Sequence, residues 1–304
     1  MKFTEVIGKT NIDFMGMKKY AFAFSGILAL LGLIAIIMIA AGGGNLGIDF
    51  GGGTAVQFKF DKPVKIDDAR ELLRKHGFED AELQEITLDN KLLIRLKKVL
   101  LTSESPADKV IAIFKEGFPD NNFVVDSSIE IGPTVGKRLQ KDAITAVILS
   151  MIGIIIYIAF RFELRFGVAA AIATFHDVLA VIGIFYVLDK EINLLIITAL
   201  LTLAGYSLTD TVVVFDRIRE YLRVRRKDPI EVIINNSINH VLGRTLITSL
   251  TTLLVLIALF LFGGEVIHDF SFALLIGVFI GTYSSVFVAS PLLLLWQGSR
   301  KGKK

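Results

Sequence analysis

Six stretches of the chain carry almost no charge over lengths that suit a membrane crossing, and one long stretch alternates polar and apolar positions like a water-exposed domain. The first uncharged run, residues 20–41, is long enough to cross about 30 Å of hydrocarbon as a helix. Five more follow at 142–160, 166–188, 192–215, 241–262 and 268–296. Residues 1–19 place Lys2, Lys9, Lys18 and Lys19 ahead of the first run, which reads as a signal anchor. The run is too long for a cleaved leader, and AAGGGN after it is a weak cleavage site.

Between 42 and 141 the period changes. Thr54 to Phe60 predicts a strand, Ile66 to His76 an amphipathic helix, and Ala81 to Thr87 with Lys91 to Lys97 a hairpin turning at Asp89 and Asn90. Pro106 to Glu116 predicts a second helix and Asn122 to Ile131 a last strand. The order βαββαβ is that of a ferredoxin-like α+β domain. His76 stands at a helix end before Gly77, where a capping role is expected. Gly51, Gly52 and Gly53 precede a strand and lack the Lys and Ser/Thr of a phosphate-binding loop, so a tight turn is expected there.

Lysine and arginine fix the expected orientation. Arg161 and Arg165 follow the second span; Arg217, Arg219, Arg223, Arg225, Arg226 and Lys227 follow the fourth; four more basic residues close the tail at 297–304. The loops at 189–191 and 263–269 carry only Lys190 between them. Both termini are therefore expected in the cytoplasm, with the α+β domain extracytoplasmic. Within the 216–240 connector, Asp228, Pro229 and Glu231 predict a helix start with a capping box. Ile230, Ile233, Ile234 and Ile238 then recur at helical spacing against Asn235, Asn236 and Asn239. This predicts an amphipathic helix on the cytoplasmic surface, serving either as a plain connector or to dock a partner.

A composition 53% hydrophobic agrees with a polytopic membrane protein. The net charge of +3 is too small to point to nucleic acid, and none is expected as a partner. With no cysteine, the chain has no disulfide, thiolate metal site or cysteine nucleophile. The spans contain no HExxH, no GxSxG and no protease-like aspartate pair, so no enzyme is expected.

Against that background the ionisable groups within the spans stand out. They are His176 and Asp177 in the third, Asp210 in the fourth and Arg244 in the fifth. An acid at bilayer depth is costly and needs a partner or a function. Counting about 1.5 Å per residue from each span centre puts Asp210 and Arg244 at similar depth. Tyr206 and Ser207 flank Asp210 at i−4 and i−3, while His240, Arg244, Thr248 and Thr251 align on one face of the fifth span. Acid, base and hydroxyls together suit a proton path; they equally suit a static buried salt bridge. His176 and Asp177 leave the same choice open, between helix-to-helix hydrogen bonding and a second proton site. Gly277, Gly281 and Ser285 form a small-residue ridge for close helix packing.

Four motifs carry a resemblance: GIDFGGGT at Gly47 to Thr54, FHDV at Phe175 to Val178, GYSLTDTVVVFDRIRE at Gly205 to Glu220 and RTLITSLTTL at Arg244 to Leu253. In these, and in the order of one span, a domain and five spans, the chain resembles the SecF side of the SecD/SecF protein-export family over nearly its whole length. That family is similar in architecture to the resistance-nodulation-division transporters. The resemblance implies a subunit that uses the proton motive force, with Asp210 as the proton-carrying acid and Arg244 as the base that responds to its charge. It implies as partners a SecD-like subunit, the SecYEG channel, YajC and the unfolded exported polypeptide at the external domain. No cofactor is implied, and sodium in place of the proton is left open. Thr209 stands where the family more often has asparagine, and Gly51 where it usually has another residue. A drug or lipid efflux half-transporter and a non-transporting scaffold are the rival readings. Efflux pumps of that superfamily usually carry two large external insertions and about twice the spans.

Overall fold

A computed structural model describes residues 10–86, 90–97, 105–225 and 227–297. The expected turn residue Asp89, Thr87, Lys2, Lys9, Arg226 and the tail from 298 lie outside the described residues. The chain divides into two compact units: Leu46–Thr145 with Glu191–Leu194, and Met1–Asn45, Ala146–Lys190 and Leu195–Lys304 together.

The first unit is built on a four-stranded antiparallel sheet in the order β2-β3-β1-β4. Its strands are β1 (Gly53–Phe60), β2 (Glu82–Ile86), β3 (Lys91–Leu96) and β4 (Phe123–Ile131), with α3 (Ile66–Lys75) and α4 (Pro106–Gly117) as the crossovers. The predicted βαββαβ order is therefore present. Alternation along β1 buries Val56, Phe58 and Phe60 against Leu73 of α3 and Val110 and Phe114 of α4. Phe58 sits at the centre, its ring 5.0 Å from Phe114 and 4.7 Å from Phe123. Ser105 accepts from the Ala107 amide ahead of Pro106, a capped start with proline in the first turn. At the end of α3, His76 Nδ1 lies 2.8 Å from the Leu72 carbonyl and Gly77 takes φ 84°, the capping role expected. Asn90 closes the hairpin at φ 52°.

The glycine cluster is a turn with one addition. Ile48–Gly51 forms a single helical turn, α2, after which Gly52 and Gly53 take φ of 74° and 149°. A side chain on Gly53 would collide with the Leu96 carbonyl, whereas Gly51 has open space where its Cβ would be. Glycine is thus demanded at 52 and 53 and not at 51.

The other unit holds the spans. Among the described residues, six helices are long and apolar enough to cross a membrane: α1 (Lys18–Ala40), α5 (Pro133–Arg161), α6 (Leu164–Val187), α7 (Leu194–Val224), α8 (Ile230–Phe262) and a last span over Ile267–Leu294. The last span comprises α9 (Gly264–Ser284), a π turn at Ser285–Ala289 and α10 (Ser290–Gln297). In α6, α7 and the last span half or more of the apolar window is buried, while α1, α5 and α8 expose most of theirs. Small residues allow the close crossings. Gly32 of α1 meets Leu179 and Gly183 of α6, and a Cβ on Gly277 would lie 2.5 Å from the Leu203 side chain. The Gly277, Gly281 and Ser285 ridge packs as expected, with Gly281 against Ser207 and Ser285 Oγ 3.0 Å from Thr211 Oγ1. Pro291, which offers no amide to the preceding turn, follows the π turn directly after Ser290, whose Oγ donates to the Ser285 carbonyl at 2.8 Å.

Three boundaries differ from the sequence reading. No separate surface helix occupies 216–240: α7 runs on to Val224, and the amphipathic residues are the first turns of α8. Nothing between Ile230 and Leu242 breaks a helix, so it propagates into the span. The capping box is also absent, since α8 starts after Pro229 with no side-chain cap and Glu231 instead pairs with Lys18 at 2.6 Å. The helix that carries the second span begins at Pro133, ahead of the apolar run expected from 142, and continues from just beyond the last strand.

Candidate functional site

The two acids in the spans have opposite surroundings. Asp177 on α6 is fully buried and takes hydrogen bonds from His176 Nδ1 at 2.9 Å, from Ser284 Oγ of α9 at 2.7 Å and from Ser207 Oγ of α7. One carboxylate thereby ties α6, α7 and α9 together. Three donors around a buried carboxylate make it a well-satisfied joint. His176, only 6% exposed, spends its other ring nitrogen, Nε2, on no partner among the described residues.

Asp210 on α7 is also buried, at 5% exposure, yet among the described residues its side chain receives one hydrogen bond, from Ser249 Oγ of α8 at the outer limit of 3.5 Å. Ser249 has a competing claim on its single proton. Its Oγ lies 2.6 Å from Thr282 Oγ1 of α9, and Thr282 itself donates to the Val278 carbonyl at 2.8 Å. Asp210, Ser249 and Thr282 therefore form a short polar line across α7, α8 and α9, with the acid the least satisfied member.

Arg244 is near enough for its charge to act on Asp210, but among the described residues no ion pair joins them, and Arg244 is exposed on α8. The neighbourhood of α7 and α8 agrees with the sequence reading; direct contact between the two does not occur among the described residues. Thr248 and Thr251 share the exposed face with Arg244 and donate back to their own helix, to the Arg244 carbonyl at 2.9 Å and the Ile247 carbonyl at 3.0 Å. His240 is exposed and belongs to another cluster, with Nε2 2.8 Å from Arg217 Nη2 and Nδ1 3.4 Å from the Tyr221 hydroxyl. Ser207 serves Asp177 rather than Asp210, and the Tyr206 hydroxyl is buried without a partner among the described residues. Thr209, exposed, donates to the Gly205 carbonyl at 3.1 Å and does not reach the acid. Ser249, Thr282 and Ser284 are the site residues that sequence reasoning missed.

One more feature bears on α7. The link between α6 and α7, Glu191–Leu194, belongs to the sheet unit. Ile192 bridges Leu46 in parallel, and its carbonyl accepts from the Gly47 amide at 3.0 Å. Asp49 Oδ2 accepts from the Leu194 amide at 2.9 Å, so the first residue of α7 is held by the glycine-rich motif. Glu191 pairs with Arg95 of β3 at 3.2 Å; burial pushes its carboxyl up, against the opposing Arg95 charge.

Comparison with known proteins gives this arrangement its family. The profile described as "Protein export membrane protein SecD/SecF, C-terminal" matches residues 110–299, and the "SecD/SecF GG Motif" matches 45–64. The chain belongs to the SecD/SecF family. "Protein translocase subunit SecF" of Thermodesulfovibrio yellowstonii is 52% identical to it over 293 residues, covering 96% of each chain. The protein of the same description from Calditerrivibrio nitroreducens is 42% identical, covering 99% of each. Among solved structures, SecDF of Thermus thermophilus, described as a translocon-associated membrane protein, superposes with a TM-score of 0.83 at 36% identity over 95% of this chain. The chain spans 39% of that SecDF chain. The motif that the family profile takes its name from is the one that demands Gly52 and Gly53 and supplies Asp49 to the start of α7. A multi-pass membrane protein of the SecF type is the identity that fold and relatives share.

Proposed function

We propose that this chain is the SecF-like half of an ion-driven export motor, working with a SecD-like subunit beside the SecYEG channel, with YajC as a further partner. It uses the proton motive force to promote late steps of polypeptide translocation across the cytoplasmic membrane. Both termini lie inside and the sheet domain outside, where it handles the emerging unfolded chain. The clustering of Arg161, Arg165, Arg217, Arg219 and Arg223 at one end of the spans supports that orientation.

The observation that carries the reading is the isolation of Asp210. A buried carboxylate with, among the described residues, one marginal hydrogen bond and a base nearby that forms no ion pair changes its interactions most when it gains or loses a proton. A static scaffold built on an Asp210–Arg244 pair would instead show the two in contact. Protonation weakens the pull on Arg244 and Ser249 and lets α8 shift against α7; release restores it. Motion of α7 has two routes to the sheet domain, the glycine-rich neck after α1 and the Asp49 hold on Leu194.

The test is precursor export in vesicles holding the chain, its SecD-like subunit and the channel, with and without an imposed proton gradient. Asp210→Asn is expected to assemble and to keep gradient-independent export while losing the gradient-dependent part. Export like wild type under the gradient returns the chain to the scaffold reading. A sodium gradient imposed in parallel separates the two ions.

A further inference from the structure

A cavity of about 460 Å³ opens where four spans end together: the first turn of α6, the last turns of α7, the start of α8 and Leu293 of α10. Its lining combines Arg165, Arg219 and Arg223, with Glu163 and Asp228, and the apolar side chains of Phe166, Ile218, Leu222, Ile230, Ile233 and Leu293.

The charges at this end of the bundle are unevenly matched. Arg161 pairs with Asp216 at 3.1 Å, Arg217 with Glu220, and Arg225 with Asp228 at 4.0 Å. Arg165 and Arg219, both half-buried, face the cavity with no carboxylate in ion-pair reach among the described residues. Asp228 is already faced by Arg225, and Glu163 lies beyond ion-pair distance of every described base. Two guanidinium groups with rigid, unshared donor forks in one partly apolar lining lack an anion. The starts of α6 and α8, neither closed by a side-chain cap, add positive potential from their free amides.

We propose that this cavity binds the phosphate headgroup of an anionic phospholipid, with Arg165 and Arg219 on the phosphate and the acyl chains leaving past the half-buried Leu222 and Ile230. Its position at the span ends puts the phosphate at headgroup level, and the apolar lining suits hydrocarbon, which a free phosphate does not have. Arg223 closes the rim.

The test is native mass spectrometry of the full chain with its SecD-like subunit, released from nanodiscs of mixed phosphatidylglycerol and phosphatidylcholine. Wild type is expected to retain phosphatidylglycerol in preference to phosphatidylcholine. Losing the charge of one arginine should weaken that retention about fivefold, and Arg165→Gln with Arg219→Gln together by more than about tenfold. Arg165→Lys with Arg219→Lys should keep most of it, and Arg161→Gln, which removes a charge at the same end whose partner Asp216 does not line the cavity, should leave it unchanged. Excess inorganic phosphate should not displace the lipid. Retention as in wild type by the Gln variants, an equal loss in Arg161→Gln, or displacement by inorganic phosphate would each overturn the proposal. Should the double variant fail to assemble, Arg165→Gln and Arg219→Gln singly read the same contrast.

Discussion

At the scale of single residues, the contrast between Asp177 and Asp210 decides what each acid does. Removing Asp177 leaves Ser207 and His176 without their acceptor and Ser284 with only the Gly281 carbonyl at 3.2 Å, and orphaned buried donors cost about 1–3 kcal/mol each, more where a charge was involved. Asp177→Leu is therefore expected to destabilise the purified chain by about 3 kcal/mol or more. Asp210→Asn, which gives up one 3.5 Å contact, should stay within about 1 kcal/mol of wild type. Thermal unfolding in detergent compares the two; equal losses would remove the distinction between joint and switch. Both acids were legible in the sequence because a charge inside an apolar run is conspicuous. Of their partners, His176 was legible as the neighbour of Asp177, whereas the hydroxyls could not be assigned to either acid. Ser249 and Thr248 are adjacent in sequence, yet one step along a helix turns a side chain by about 100°, so one meets Asp210 and the other faces outward. An uncharged hydroxyl among several gives no sign of which way its helix is rotated.

At the scale of elements, the sheet domain was readable almost to the residue, because period-two and period-3.6 patterns are local and its turns use Asn90 and Gly77 at positive φ. What lay hidden depends on contacts distant in sequence. The docking of Glu191–Leu194 onto the Leu46–Asp49 segment and β3 joins residues from opposite sides of two spans, and nothing in that four-residue link announces a bridge. The extent of α8 was hidden for another reason: a charge and amide pattern suited to a surface helix also suits the wet first turns of a longer one. Arg95 and Glu191 make the link testable by pH. Burial raises the Glu191 carboxyl above its ordinary value of 4.5, so the folded state holds that proton more tightly than the unfolded chain. The stability this contributes is complete below 4.5 and is lost as pH rises through the raised folded value. Glu191→Gln cannot titrate. The stability of wild type relative to Glu191→Gln, read from hydrogen exchange in the sheet domain of the full chain, should fall with rising pH and then level off. Parallel curves would mean that Glu191 ionises as freely folded as unfolded.

At the scale of the whole molecule, the unevenness of the spans points outward. Helices α6, α7 and the last span make the interior, while α8 turns Leu250, Leu254 and Val255 away from it, with Arg244, Thr248 and Thr251 on exposed positions of the same helix. The threonines satisfy themselves on their own backbone. Arg244 cannot, since its guanidinium carries five donors and meets no carboxylate among the described residues. Lipid is a poor neighbour for it, an arginine at bilayer depth costing about 2.5 kcal/mol or more. A helix bearing acceptors is the better one, and in the solved SecDF chain more than half of the length lies beyond the 39% that this chain matches. That face of α8 is accordingly expected to be covered in the working complex. Because the chain has no cysteine, a nitroxide attached at Thr251→Cys reports from one place only. In bilayers holding the chain alone, its accessibility to dissolved oxygen should be high, as for any lipid-facing site, and it should fall when the SecD-like subunit is present. A label at Leu256→Cys, where the native side chain is buried within the chain itself, should read low in both and serves as the reference. If Thr251 stays open to oxygen in the complex, the base of the proposed coupling pair faces lipid, and protonation of Asp210 would have no second subunit to move.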